Sequence, residues 1–162
     1  MAVISIPPKS FATGRYYSVH ANYLITENKQ HQAMKFEWGP IDSSRNPSHI
    51  TPLSNNGNHM EDELVNHLKN GPIRFNLMMQ LAQPGDIIND STQEWPDNRE
   101  KLCIGTLSIL ERRPDNAEPH VFDPTVVPDG LQCSDDPVLR FRGAAYSESA
   151  KRRHHFVELM DE

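Results

Sequence analysis

No run of about 18 apolar residues occurs in the chain, so no segment reads as a transmembrane helix. Base is scarcer than acid: 16 Lys+Arg stand against 22 Asp+Glu, a formal net charge of −6. That balance argues against broad nucleic-acid or anionic-membrane binding, which calls for a basic surface. Cysteine is sparse. Cys103 and Cys133 are far apart and fit no metal or redox motif, so both read as free thiols in a reducing, cytoplasmic compartment. The start, MAVISIPPKSF, lacks a basic leader and a cleavage pattern and is not read as a signal peptide. Without secretion the sequon at Asn89 carries little weight. Glycine is also sparse, with 8 residues against 13 prolines, many of them between Pro84 and Pro137. Long, ordered but irregular connections are expected there, and no internal repeat is found.

The 162 residues are enough for a single domain with a real core. Residues 15–26 are rich in aromatic and β-branched types and read as a strand. A short polar turn at Glu27–Gln30 leads to residues 32–39, where Met34, Phe36 and Trp38 alternate with Lys35 and Glu37 as in a half-buried partner strand. Residues 43–59 are polar and turn-rich, hence a loop. MEDELVNHLKNG has an acidic first turn, apolar residues at helical spacing and Gly71 as a stop, so it reads as a helix. Ile73, Phe75, Leu77, Met79 and Leu81 alternate strictly, and residues 102–110 form a fourth strand. A Pro-rich connection over 111–134 precedes a helix from about Pro137 to Met160. The class is α+β: about four antiparallel strands with open edges, a kind of sheet that tends to close or to find a partner.

The last helix carries the candidate chemistry. Asp136 can cap it and Pro137 suits its first position. Residues four and seven apart share a helical face, which puts Arg142, Tyr146, Ser149 or Ala150, and Arg153 on one stripe. Gly143 and Ala150, small residues on or beside it, would let a flat ligand or another backbone come close. Two readings remain open on spacing alone. In one, the arginines are solvated and Tyr146 is an ordinary core residue of an amphipathic helix, since matches this short are common by chance. In the other, Tyr146 is a phenolate metal ligand. An unperturbed tyrosine has a pKa of about 10, so a phenolate at neutral pH needs a nearby cation such as an arginine one turn away. Tyrosinate is a known axial ligand of haem iron.

The run FDPTVVPDGL, then SDDPVL, then Arg142-x-x-x-Tyr146 with Arg153 beyond it, resembles the C-terminal half of the haem catalase domain, and most of all the small catalase-related peroxidases. SFATGRYYSVHANYLIT, AMKFEWG, LVNHLKNGPIRFNLMMQLAQPGD and DIINDSTQEWPD with IGTLSIL resemble its upstream strands, helix and link, so the likeness runs from about Ser10 to His154. It implies half of an antiparallel β-barrel with a C-terminal proximal helix. It implies Tyr146 as proximal ligand of haem iron, Arg142 hydrogen-bonded to the phenolate, His20 and Asp136 holding Arg142, and Arg153 meeting a haem propionate. Each residue also has a plainer role: His20 a strand histidine, Asp136 a helix cap, Arg153 a surface residue. The paired His154 and His155 read as surface residues.

The family's distal histidine and asparagine, which handle the peroxide protons, lie N-terminal to the matched region, and no segment here matches them. The expected function is therefore a haem-dependent oxidoreductase acting on hydrogen peroxide or organic hydroperoxides, or part of one. A non-catalytic haem-binding or assembly protein stands as the alternative, a remnant that binds nothing as a third reading. Rearrangement of fatty-acid hydroperoxides, which uses the same proximal residues in this superfamily, is not distinguished from the first. A homo-oligomer or a complementing chain is the expected partner, with neither nucleic acid nor membrane.

Overall fold

A computed structural model describes residues 10–41, 59–113 and 122–160, the backbone alone at 59 and 153–160. Residues 43–58 of the expected loop and 114–121 of the Pro-rich connection therefore lie outside the described residues. The elements are β1 (Tyr16–Tyr17), β2 (Asn22–Ile25), β3 (His31–Pro40), α1 (His59–Lys69), β4 (Ile73–Leu81), β5 (Lys101–Ile109), β6 (Leu131–Cys133) and α2 (Pro137–Met160). Six strands form one sheet in the order β5-β4-β3-β2-β6, with β1 pairing β3. No described helix is long and apolar enough to cross a membrane.

Six strands rather than four result from two local causes. The strand expected over 15–26 is interrupted. Ser18 N donates to Phe36 O at 2.8 Å, and Asn22 stands opposite Met34. Three residues, Val19, His20 and Ala21, thus oppose the single Lys35, which is a bulge. The Ser18 hydroxyl holds it. Its oxygen accepts from Phe36 N at 3.2 Å and its proton goes to His20 O at 2.7 Å, so a side chain takes over ladder bonds. The second cause is β6, three residues within the connection expected to be irregular. Gly130, at φ +86°, makes a turn that few other residues adopt, and its carbonyl accepts from Ile25 N at 2.8 Å. Leu131–Cys133 then run antiparallel to β2.

The chain divides into two compact units. One comprises residues 1–17, 37–79 and 102–115. Its core is Ala12, Ile73 and Phe75, against which Trp38, Leu64, Leu68 and Ile109 pack. Helix α1 has the expected acidic first turn, Glu61 and Asp62, and stops at Gly71, whose φ of +139° suits glycine. Glu37, expected on the polar side of its strand, is instead buried and paired with Arg15 at 2.5 Å. Strand β5 lies at the end of the sheet order, with Leu102, Ile104 and Leu107 each at least 40% exposed.

The other unit comprises residues 18–36, 80–101 and 116–162. Ala21, Ala33 and Trp95 form its core, with Tyr23, Ala82 and Ile88 packed against them. The link between β4 and β5 is clasped by Arg99, whose Nε and Nη2 each donate to Asp86 at 2.8 Å. That bidentate bond, then the Gln83 N–H, holds the Asp86 carboxyl down at about 2. The folded value lies below the ordinary aspartate value of about 3.9, so this contribution to stability is full above that pH. It should fall away as pH drops from there toward the folded value. Urea unfolding of wild type and Arg99→Ala should show a gap at pH 6 that closes near pH 2; a constant gap would refute the assignment.

Candidate proximal site

The site lies within the second unit, between the β2 bulge and the first three turns of α2. Asp136 initiates the helix. Its Oδ1 accepts from Val138 N at 2.8 Å and from Leu139 N at 3.4 Å, while its carbonyl takes the first intrahelical bond from Arg140 N at 3.0 Å. This is N-cap geometry, and Pro137, with no N–H to satisfy, fits the next position. The other carboxylate oxygen, Oδ2, faces His20 Nδ1 at 2.8 Å. Asp136 is 1% exposed and His20 6%. Burial by itself would push the Asp136 carboxyl up; the hydrogen bonds from His20, Val138 N and Leu139 N bring it below the ordinary range.

His20 owes its position to the bulge, an irregularity that redirects a side chain. Its second ring nitrogen, Nε2, is 3.0 Å from Arg142 Nη1. A guanidinium only donates, so Nε2 must accept and the proton must sit on Nδ1, pointing at Asp136. The donors fix the tautomer as the neutral Nδ1–H form. Arg142 then donates through Nη2 to Tyr146 Oη at 2.6 Å, and the guanidinium carbon lies 5.2 Å from the Tyr146 ring centroid. The result is one directional series from carboxylate to imidazole to guanidinium to phenol oxygen. At its far end the phenol oxygen receives a charge-assisted hydrogen bond.

Four of the five residues singled out in the sequence, His20, Asp136, Arg142 and Tyr146, are thus brought together. The side chain of Arg153 lies outside the described residues, as do those of His154 and His155. Ala150 on the same stripe is buried. Gly143 is small for a reason internal to the chain: a Cβ there would stand 2.9 Å from Thr125 Oγ1. Sequence reasoning passed over Thr125, although the D-x-T turn around it carries an Asx signature. Among the described residues no group of three or more His, Cys, Asp or Glu side chains is placed to hold a metal ion.

The model of the Catalase family matches residues 4–158. The chain belongs to the catalase family. Among its relatives, a catalase-related peroxidase of Mycolicibacterium paratuberculosis is 34% identical over 151 residues, covering 90% of this chain and 47% of that protein. One from Synechococcus elongatus is 29% identical over 150 residues, covering 91% of this chain and 44% of that protein. A catalase of Pseudomonas aeruginosa is 26% identical over 160 residues and is covered over 31% of its length. This catalase-family chain therefore spans less than half the length of these relatives. Its fold is catalase-like: a fungal catalase superposes with a TM-score of 0.72 at 19% identity over 89% of this chain and 32% of that one. Catalase A of Saccharomyces cerevisiae gives 0.70 at 17% identity, with 89% and 32% covered.

Proposed function

We propose that the chain provides the proximal half of a haem site in a catalase- or peroxidase-type oxidoreductase, in which Tyr146 would hold the iron. The observation that carries this reading is the Asp136–His20–Arg142–Tyr146 series, with contacts of 2.8, 3.0 and 2.6 Å. Its donor set is a single phenol oxygen backed by a guanidinium, which suits an iron already held by porphyrin nitrogens. Haem, when bound, would supply the iron at which the peroxide bond of hydrogen peroxide or an organic hydroperoxide is cleaved.

The residues of this chain act on the ligand atom and its surroundings. Arg142 places a positive charge beside the phenol oxygen and so favours the phenolate. His20 and Asp136 hold Arg142 in the orientation that points Nη2 at that oxygen, and Asp136 keeps the His20 proton on Nδ1. Arg153 is assigned to a haem propionate. Handling of peroxide protons belongs to residues that the family resemblance places outside the matched region. We assign the remaining partnership to a second copy or a complementing chain that closes the sheet. The free thiols Cys103 and Cys133 support a cytoplasmic setting.

The test is a haemin titration of the purified chain followed by visible spectroscopy. A saturable one-to-one complex with a high-spin tyrosinate spectrum is expected, and peroxide turnover then separates an enzyme from a haem-binding fragment. Absence of saturation would sink the reading. Arg142 offers two donors in two directions, to His20 and to Tyr146, which a lysine cannot reproduce. Arg142→Lys should therefore weaken haemin binding almost as much as Arg142→Ala, by about 10- to 100-fold. Near-wild-type binding by the lysine variant would show that charge alone suffices.

A further inference from the structure

The interior of α2 contains a glycine, Gly143, beside Arg142 and one turn before the end of the Arg142–Tyr146 pair. Glycine costs a helix interior about 1 kcal/mol relative to alanine, so its presence calls for a steric reason. The reason is Thr125. A Cβ on Gly143 would lie 2.9 Å from Thr125 Oγ1, 3.4 Å from its Cγ2 and 3.6 Å from Asp123 Oδ1. The threonine is not a flexible chain end that can swing away. It is β-branched and therefore stiff at χ1, and two bonds fix it: its N–H and its hydroxyl donate to Asp123 Oδ1 at 2.8 and 2.7 Å. The turn closes on itself through Val126 N to Asp123 O at 3.2 Å.

The same turn reaches the sheet. Thr125 O accepts from Cys133 Sγ at 3.6 Å; Cys133 is buried in β6 and stands opposite Asn22 of β2. Asn22 follows the bulge that carries His20. One short path of contacts thus leads from α2 at Gly143, through Thr125 and β6, to the strand that holds His20.

We infer that Thr125 and Gly143 are a positioning pair: the close contact of the Asp123–Val126 turn with α2 sets the height at which Arg142 meets His20. The contact is local to this chain and would act whether or not haem is bound. Only its consequence for haem rests on the reading given above.

A double-mutant cycle tests it, with Gly143→Ala, Thr125→Ala and the two combined. In an unobstructed helix alanine would stabilise; here Gly143→Ala should lower the unfolding midpoint, and the added Thr125→Ala should restore it by removing the obstructing atoms. The readout specific to positioning is the ring N–H proton of His20, followed in histidine labelled with nitrogen-15 without haem. Its resonance should move in Gly143→Ala and return in the double variant. Haemin affinity should fall about tenfold and recover in parallel, as for other outer-shell changes.

A His20 resonance unmoved by Gly143→Ala, despite lower stability, would overturn the proposal, as would a double variant that does not recover. Should Gly143→Ala not fold, a folded double variant with the wild-type resonance supports the pair, and an unfolded one overturns it. Should wild type bind no haemin, the haem reading fails and the ring proton alone decides on the pair.

Discussion

Replacing Tyr146 by phenylalanine should abolish the tyrosinate spectrum of the haemin-loaded chain while leaving its fold in place. The substitution removes one oxygen and keeps the ring that lies 5.2 Å from the Arg142 guanidinium carbon. The lost bond is the one donated by Arg142 Nη2. Arg142 is half-buried, so the freed N–H can turn to water and the cost in stability is about 1 kcal/mol. No other side chain named in the proximal series can replace the phenol oxygen: Arg142 is a cation without a lone pair, and both His20 nitrogens are engaged. Removing a ligand atom should exceed the 10- to 100-fold effect typical of an outer-shell partner, so haemin affinity should fall by more than about 100-fold. Measured together, the unfolding midpoint and the haemin spectrum separate a lost ligand from a lost fold. An unchanged spectrum in Tyr146→Phe would assign the iron to another residue.

The largest effect on stability is expected at Asp136. Asp136→Ala removes the cap of α2 and leaves the His20 Nδ1–H buried without its acceptor. Cap loss costs about 1 kcal/mol, and a buried donor left without its acceptor about 1–3 kcal/mol more, for a total of about 2–4 kcal/mol. Asp136→Asn should recover only part of this. Its oxygen can still accept from Val138 N, but its amide then points N–H groups at the His20 N–H. Reversing the imidazole tautomer would relieve that clash only by setting Nε2–H against the Arg142 guanidinium. One atom exchange thus upsets every later link. Because the folded carboxyl titrates below its ordinary range, the stabilisation is full above about pH 3.9, the unfolded value. It is lost as pH falls through the depressed folded value. Urea unfolding should show the gap between wild type and Asp136→Ala narrowing in acid. A gap that widens in acid would contradict the assigned protonation.

Much of this site was legible in the chain, for unequal reasons. Helix α2 announces itself through Asp136 and Pro137, and a cap is a local event that local sequence records. The partnership of Arg142 with Tyr146 follows from helical spacing, although spacing alone could not exclude a plain amphipathic helix; the family likeness singled it out. His20 was named through that likeness too, yet its orientation depends on a bulge held by the Ser18 hydroxyl, and the run 15–26 looks like uninterrupted strand. Strand β6 escaped notice because three residues carry too little periodicity, though the Pro128-Asp129-Gly130 turn before it was a usable sign. The burial of Glu37 was invisible because its partner, Arg15, lies far off in the sequence, just before β1. Gly143 was noticed as small, but what fills the space beside it could not be read from helical spacing.

Asp136 divides its two carboxylate oxygens between the start of a helix and a buried imidazole. That division ties secondary structure to chemistry: fraying of the first turn of α2 and release of His20 become a single event. Anything that tightens the grip on the phenol end of the series should therefore slow amide hydrogen exchange at Val138 and Leu139, although neither belongs to the reacting groups. Local unfolding and loss of the site would then share one free energy.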